Sequence, residues 1–100
     1  MKNESEIHEM FDKLKQAYRI ALLEKKAELE QVLSDVNHDK IDIDYIHQTV
    51  HKLAGGCGIY GYNELSSIAS NFEDEITEGV TDKNNLLKHL TLLLDKMDEA

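Results

Sequence analysis

The chain has 100 residues, of which 41% are hydrophobic and 31% are charged, a balance typical of one small globular domain. Its net charge of -9 repels phosphate backbones and anionic lipid surfaces, so we expect neither nucleic acid nor a membrane among its partners. The single cysteine excludes an internal disulfide, no apolar run is long enough to span a membrane, and the first residues lack the apolar stretch of a signal peptide. These features favour a reducing, cytoplasmic location.

Apolar residues recur at spacings of three and four along the whole chain, and proline is absent. This period predicts four amphipathic helices, at residues 6–35, 42–59, 63–77 and 82–98. The first apolar stripe weakens at Glu24-Lys25-Lys26, where a kink or a short break is expected. The stripe predicts that the following residues lie in the core: Ile7, Met10, Phe11, Leu14, Tyr18 and Leu22. Cys57 falls on the stripe of the second helix, which predicts a buried, inert thiol.

The segments between the helices carry turn and capping signals. Gly61 separates the second and third helices, Gly79 is expected to end the third, and Thr81 or Asp82 to cap the fourth. Four amphipathic helices with short loops pack best as an all-α, antiparallel up-down four-helix bundle, here one domain over residues 1–100. Because such a bundle leaves no large apolar face uncovered, we expect a monomer.

One histidine on the second helix lies beside a strip of glycines. Val50 and Leu53 point toward the core, which places His51 at the edge of the buried stripe or outside it. Gly55 follows four residues after the histidine and Gly58 seven, so both lie near its helical face. Glycine within a helix costs about 1 kcal/mol relative to alanine, so the bare strip indicates close approach by another molecule. The alternatives are an unremarkable surface histidine and glycines that merely end the helix.

The segment from His51 to Glu73 resembles the histidine phosphotransfer (HPt) domain of multistep phosphorelays. The positions that match the family pattern are His51, Leu53, Gly55, Gly61, Leu65 and Phe72-Glu73. Ala54 departs from that pattern, because the family often has lysine there. The family fold is a four-helix bundle with the histidine exposed, so the resemblance agrees with the helical pattern of the whole chain.

The resemblance implies that His51 accepts a phosphoryl group from a phospho-aspartate of a response-regulator receiver domain and passes it to another receiver. A neutral imidazole is a good nucleophile near pH 7, which suits this chemistry. The chain would then be a phosphoryl carrier rather than an independent catalyst, with a hybrid sensor kinase as a further candidate partner. The receiver would bring Mg²⁺, so we expect this chain to need no cofactor of its own.

The resemblance also implies roles for residues around the histidine. Glu73 would accept a hydrogen bond from one imidazole N–H and leave the other nitrogen free to attack. Lys52 lies about 100° away around the helix and is a candidate phosphate contact. The residues expected in the receiver-docking surface are His47, Gly55 and Gly58.

Two alternative functions remain. A non-phosphorylated helical adaptor would bind receiver or kinase domains without chemistry, and a His51→Gln substitution would then leave binding intact. His47 and His51 also have the spacing of two metal ligands on one helix face. Because no third ligand completes a recognisable motif, we expect no metal site.

Overall fold

The computed structural model describes residues 4–99, which form four α-helices and contain no strand. The helices are α1 (Glu4–Asn37), α2 (Ile43–Ile59), α3 (Asn63–Thr77) and α4 (Lys83–Glu99). The predicted all-α class is therefore confirmed, and each helix begins and ends within two residues of its expected bounds. The short break expected at Glu24-Lys25-Lys26 is wrong, because these good helix formers continue α1 without interruption. Within the described range, no helix is both long and apolar enough to cross a membrane.

The four helices pack side by side with alternating direction. α1 packs against α2 and α4, and α3 packs against the same two helices from the other side. At one end of the bundle, the ammonium of Lys83 at the start of α4 lies 3.1 Å from the carbonyl oxygen of Asn37 at the end of α1. Farther along the same two helices, Lys26 pairs with Asp98. α1 and α4 are therefore antiparallel, as an up-down bundle requires.

The core lies between the inner faces of all four helices. Each helix contributes apolar side chains at spacings of three and four, which is the stripe that the sequence predicts. The side chains with almost no exposed surface are Leu29, Val36, Val50, Leu53, Cys57, Phe72, Leu86, Leu90 and Leu93.

The helix ends follow the signals in the sequence. The side chain of Asp42 accepts a hydrogen bond of 3.1 Å from the backbone N–H three residues on and so caps α2. Asp82 does the same for α4 at 3.2 Å, which decides between the two expected caps. Gly61 and Gly79 follow α2 and α3 with φ of 84° and 87°, left-handed values that favour glycine.

The N-terminal part of α1 projects beyond the bundle, and we call residues 4–17 the α1 overhang. α1 has 34 residues whereas the other helices have 15 to 17, so the molecule is 53 Å long and only 24 Å by 20 Å across. The expectation that the start of this stripe lies in the core is wrong, because α2, α3 and α4 are too short to cover it. The exposed apolar residues of the overhang are Ile7, Met10, Phe11 and Leu14. The expectation that no apolar face is left uncovered is wrong for the same reason.

Candidate functional site

His51 stands on the outer surface of α2. Its neighbours Val50 and Leu53 are fully buried, so the helix is anchored to the core on the side away from the imidazole. The His51 side chain is 72% exposed. The placement at the edge of the buried stripe, expected from the sequence, leaves the ring accessible to another protein.

The carboxylate of Glu73 holds the His51 ring from α3. His51 Nδ1 lies 2.6 Å from Glu73 Oε2, so the Nδ1–H donates a hydrogen bond to the carboxylate. Glu73 is only 22% exposed, and it follows the fully buried Phe72, which fixes the backbone of α3 at this point. A neutral ring held in this way keeps its second nitrogen, Nε2, unprotonated and free of this bond.

His47 lies one turn before His51 and faces the same carboxylate. Its Nε2 is 3.9 Å from Glu73 Oε2, too far for a hydrogen bond, and its side chain is 43% exposed. The structure thus gathers both histidines around Glu73. Among residues 4–99, no group of three or more His, Cys, Asp or Glu is placed to hold a metal ion.

Lys52 and Ala54 lie away from this cluster. The Lys52 side chain is exposed, and its ammonium makes no hydrogen bond or ion pair with any residue of the described range, the imidazole and Glu73 included. Ala54 is half-buried and packs against the core. Its carbonyl oxygen accepts a hydrogen bond of 2.9 Å from the Ser66 hydroxyl on α3. Among residues 4–99, the contacts of this cluster join only His47, His51 and Glu73, so no lysine or arginine is paired there.

The glycines after the histidine differ in what surrounds them. A Cβ atom on Gly55 would meet nothing within 4 Å, so this backbone faces open space. A Cβ atom on Gly58 would lie 3.2 Å from the Ser66 hydroxyl oxygen, which makes Gly58 part of the close packing between α2 and α3. Gly55 alone of these two has no packing reason to be glycine, and it lies one turn from His51.

Gly56 makes room for an aromatic side chain that packs across the end of the bundle. A Cβ atom on Gly56 would overlap the phenol of Tyr18, whose ring stacks on Tyr60 at a centroid distance of 4.7 Å. The Tyr18 hydroxyl lies 3.9 Å from the Cys57 sulfur. Burial raises the pKa of both groups above its ordinary value, so both stay protonated at neutral pH. This packing role of Gly56 was not predicted, although Tyr18 falls on the apolar stripe of α1.

A third histidine, His89, has a structural role. It is 9% exposed, its ring stacks on Phe72 at a centroid distance of 4.9 Å, and it pairs with Glu75. The burial of His89 was not predicted from the sequence. Its position three residues after Leu86 and four before Leu93 is the signal that places it in the buried stripe of α4.

Comparison with known proteins identifies the family of this bundle. The model of the Hpt domain family matches residues 5–100, which includes all four helices apart from the first residue of α1. No curated protein and no solved structure matches the chain. The segment from His51 to Glu73 was expected to resemble the HPt family. The match confirms this resemblance and extends it to the chain as a whole. Since the match covers nearly every residue, this chain belongs to the Hpt domain family, the histidine phosphotransfer domains that work with response-regulator receivers in phosphorelays.

Proposed function

We propose that His51 accepts a phosphoryl group from a phospho-aspartate of one receiver domain and passes it to a second receiver. The observation that carries this proposal is the exposed imidazole whose Nδ1 is bonded to Glu73, since Nε2 is then left to attack. A surface histidine without such a partner exchanges tautomers freely and presents the reactive nitrogen only part of the time.

The transfer is a displacement at phosphorus. The lone pair of His51 Nε2 forms the new N–P bond while the bond between phosphorus and the aspartyl oxygen breaks, and the aspartate leaves as a carboxylate. The ring keeps its Nδ1 proton and gains positive charge as the bond forms. The Glu73 carboxylate, 2.6 Å from Nδ1, stabilises that charge. The reverse displacement by the aspartate of a second receiver returns the ring to its neutral form.

The receiver domain supplies the metal ion for the transfer. We propose that the receiver holds the Mg²⁺ that neutralises the phosphoryl oxygens, and that this chain brings no cofactor of its own. The open backbone at Gly55, with Gly58 and His47 beside it, forms the surface on which the receiver docks. Lys52 is a flexible cation next in sequence to His51, and it contacts the phosphoryl group once that group is attached. The exchange takes place in the cytoplasm, where the unpaired thiol of Cys57 remains reduced.

The test is transfer of labelled phosphoryl from a phosphorylated receiver in the presence of Mg²⁺. Wild type should acquire an acid-labile, base-stable label, and His51→Gln should acquire none. His38→Gln is the matched control, because His38 is also exposed but lies in the turn after α1 rather than on α2. It should be labelled like wild type.

The site of attachment gives a second readout. Because Glu73 occupies Nδ1, NMR of the phosphorylated protein should show phosphorus bonded to Nε2. Phosphorus on Nδ1 would contradict the proposed role of Glu73. Receiver binding without any label, unchanged in His51→Gln, would favour the adaptor function instead.

A further inference from the structure

The α1 overhang presents an apolar face that nothing in the described chain covers. Ile7, Met10, Phe11 and Leu14 are 57%, 48%, 42% and 49% exposed and line one shallow groove. They continue the stripe that becomes buried at Leu22. An isolated helix of about 14 residues is marginal in water, and helices in proteins owe most of their stability to a packed apolar face. The overhang therefore has the character of an interface.

The spacing of these four residues is the same in both directions. From Ile7 the steps are three, one and three residues, so the stripe is symmetric about the midpoint between Met10 and Phe11. If two overhangs lie antiparallel about a two-fold axis at that midpoint, Ile7 of each copy faces Leu14 of the other. Met10 and Phe11 then pack around the axis. A two-fold interface needs a patch of this self-complementary kind.

The charges beside the stripe favour the same arrangement. Glu4 and Lys15 lie on one flank of the overhang, and Glu6 and Lys13 lie on the other. In an antiparallel pair, Glu4 of one copy comes beside Lys15 of the second copy, and Glu6 comes beside Lys13. A parallel pair would instead place acidic beside acidic and basic beside basic residues, which is unfavourable.

The end of the four-helix bundle limits how far along α1 the overhang of a second copy can pack. The Lys15 ammonium lies 5.3 Å from the centroid of the Tyr62 ring, where the turn between α2 and α3 meets α1. In the antiparallel pair, the first turn of α1 of the second copy would lie beside Lys15 and reach no farther. His51 lies outside the overhang, eight residues before the end of α2, and stays accessible.

We propose that the α1 overhang is a dimer interface, and that its occupant is the overhang of a second copy of this chain in antiparallel two-fold contact. This replaces the monomer expected from the sequence, since that expectation rested on a fully covered apolar surface. The inference does not depend on phosphoryl transfer, so either one can fail alone.

Sedimentation equilibrium of the full chain tests the dimer. Over about 1 µM to 1 mM protein, a range matched to weak interfaces, the mass of wild type should rise from 11.4 kDa toward twice that value. Phe11→Glu should remain at the monomer mass. The matched control is Ile20→Glu, since Ile20 is 64% exposed but lies on the opposite face of α1, and it should associate like wild type.

Two outcomes would overturn the proposal. One is a wild-type mass that stays at 11.4 kDa over the whole range, which would leave the overhang to a different partner. The other is identical association of Phe11→Glu and Ile20→Glu. Circular dichroism of each variant shows that the helices are retained, which is expected because both positions lie outside the core.

Single cysteines test the orientation. In the antiparallel pair, position 11 lies close to its own symmetry mate, so Phe11→Cys should form a disulfide-linked dimer on mild oxidation. Position 7 lies about 10 Å along the helix from its mate, too far for a disulfide, so Ile7→Cys should not. Cys57 is buried and does not compete. Equal cross-linking of both variants would indicate a parallel pair and overturn the proposed arrangement.

Discussion

Glu73→Gln is the substitution that isolates the proposed role of the carboxylate. Glutamine keeps the size of the side chain and a carbonyl oxygen that accepts the Nδ1–H hydrogen bond. It removes only the negative charge, which lies 2.6 Å from the ring nitrogen. If the charge stabilises the ring while the N–P bond forms, phosphoryl transfer should slow even though the fold and the hydrogen bond remain.

The size of the effect follows from the exposure of the pair. A hydrogen bond to a charged group contributes about 1.5–3 kcal/mol and is about twice as strong as a neutral one. The His51 side chain is 72% exposed and that of Glu73 is 22% exposed, so solvent screens part of the attraction. We therefore expect a loss of about 1 kcal/mol in the transition state, which is roughly a five-fold slower transfer.

Single-turnover transfer from a phosphorylated receiver measures this rate. Asp74→Asn is the matched control, because it removes the same charge from the next residue of α3, which is exposed and makes no hydrogen bond or ion pair with His51. Its rate should match that of wild type. Equal slowing in both variants would refute a specific role for Glu73 and indicate a general effect of net charge on receiver docking.

Three further predictions concern the residues after His51. Ala54→Lys should lengthen the lifetime of phosphohistidine by adding a cation one turn away, and an unchanged lifetime in a decay time course would contradict this. In urea unfolding, Gly55→Ala should raise the free energy of unfolding by about 1 kcal/mol, and it should also slow phosphoryl transfer. Gly56→Ala should lower the free energy of unfolding by about 1–3 kcal/mol, because its methyl group would displace Tyr18. The Cys57 thiol should react far more slowly with iodoacetamide in the folded than in the unfolded protein, because burial raises its pKa and suppresses the thiolate; equal rates would exclude this.

The helices were predictable because their apolar period is contained in the local sequence. The burial of each residue in the stripe was not predictable, because it depends on the other helices. Phe11 and Leu29 lie 18 residues apart, which is five full turns, and so occupy the same angular position on α1. Leu29 is 1% exposed and Phe11 is 42% exposed. Periodicity shows which face of a helix is apolar. The lengths of the other helices decide how much of that face is covered, and this cannot be read from α1 alone.

The same distinction applies to the site. The position of His51 outside the buried stripe follows from the sequence of α2, whereas the role expected of Glu73 came from the resemblance to the family. Gly55 and Gly56 look equivalent in the sequence. They differ because one faces open space and the other faces Tyr18, a residue of another helix. A single amino-acid sequence carries no signal for such contacts between helices that are distant in sequence.

The geometry of the exposed pair depends on the core beneath it. Phe72 is fully buried and stacks on His89, and removing a buried phenylalanine costs about 3–5 kcal/mol. The partly exposed hydrogen bond between His51 and Glu73 contributes only about 1 kcal/mol to stability. Packing therefore dominates, and it fixes the backbone of α3 where Glu73 begins. The Phe72–His89 contact, one residue away, therefore positions the carboxylate beside the imidazole. The hydrogen bond contributes little to the stability of the fold, and its main effect is on the reactivity of the ring.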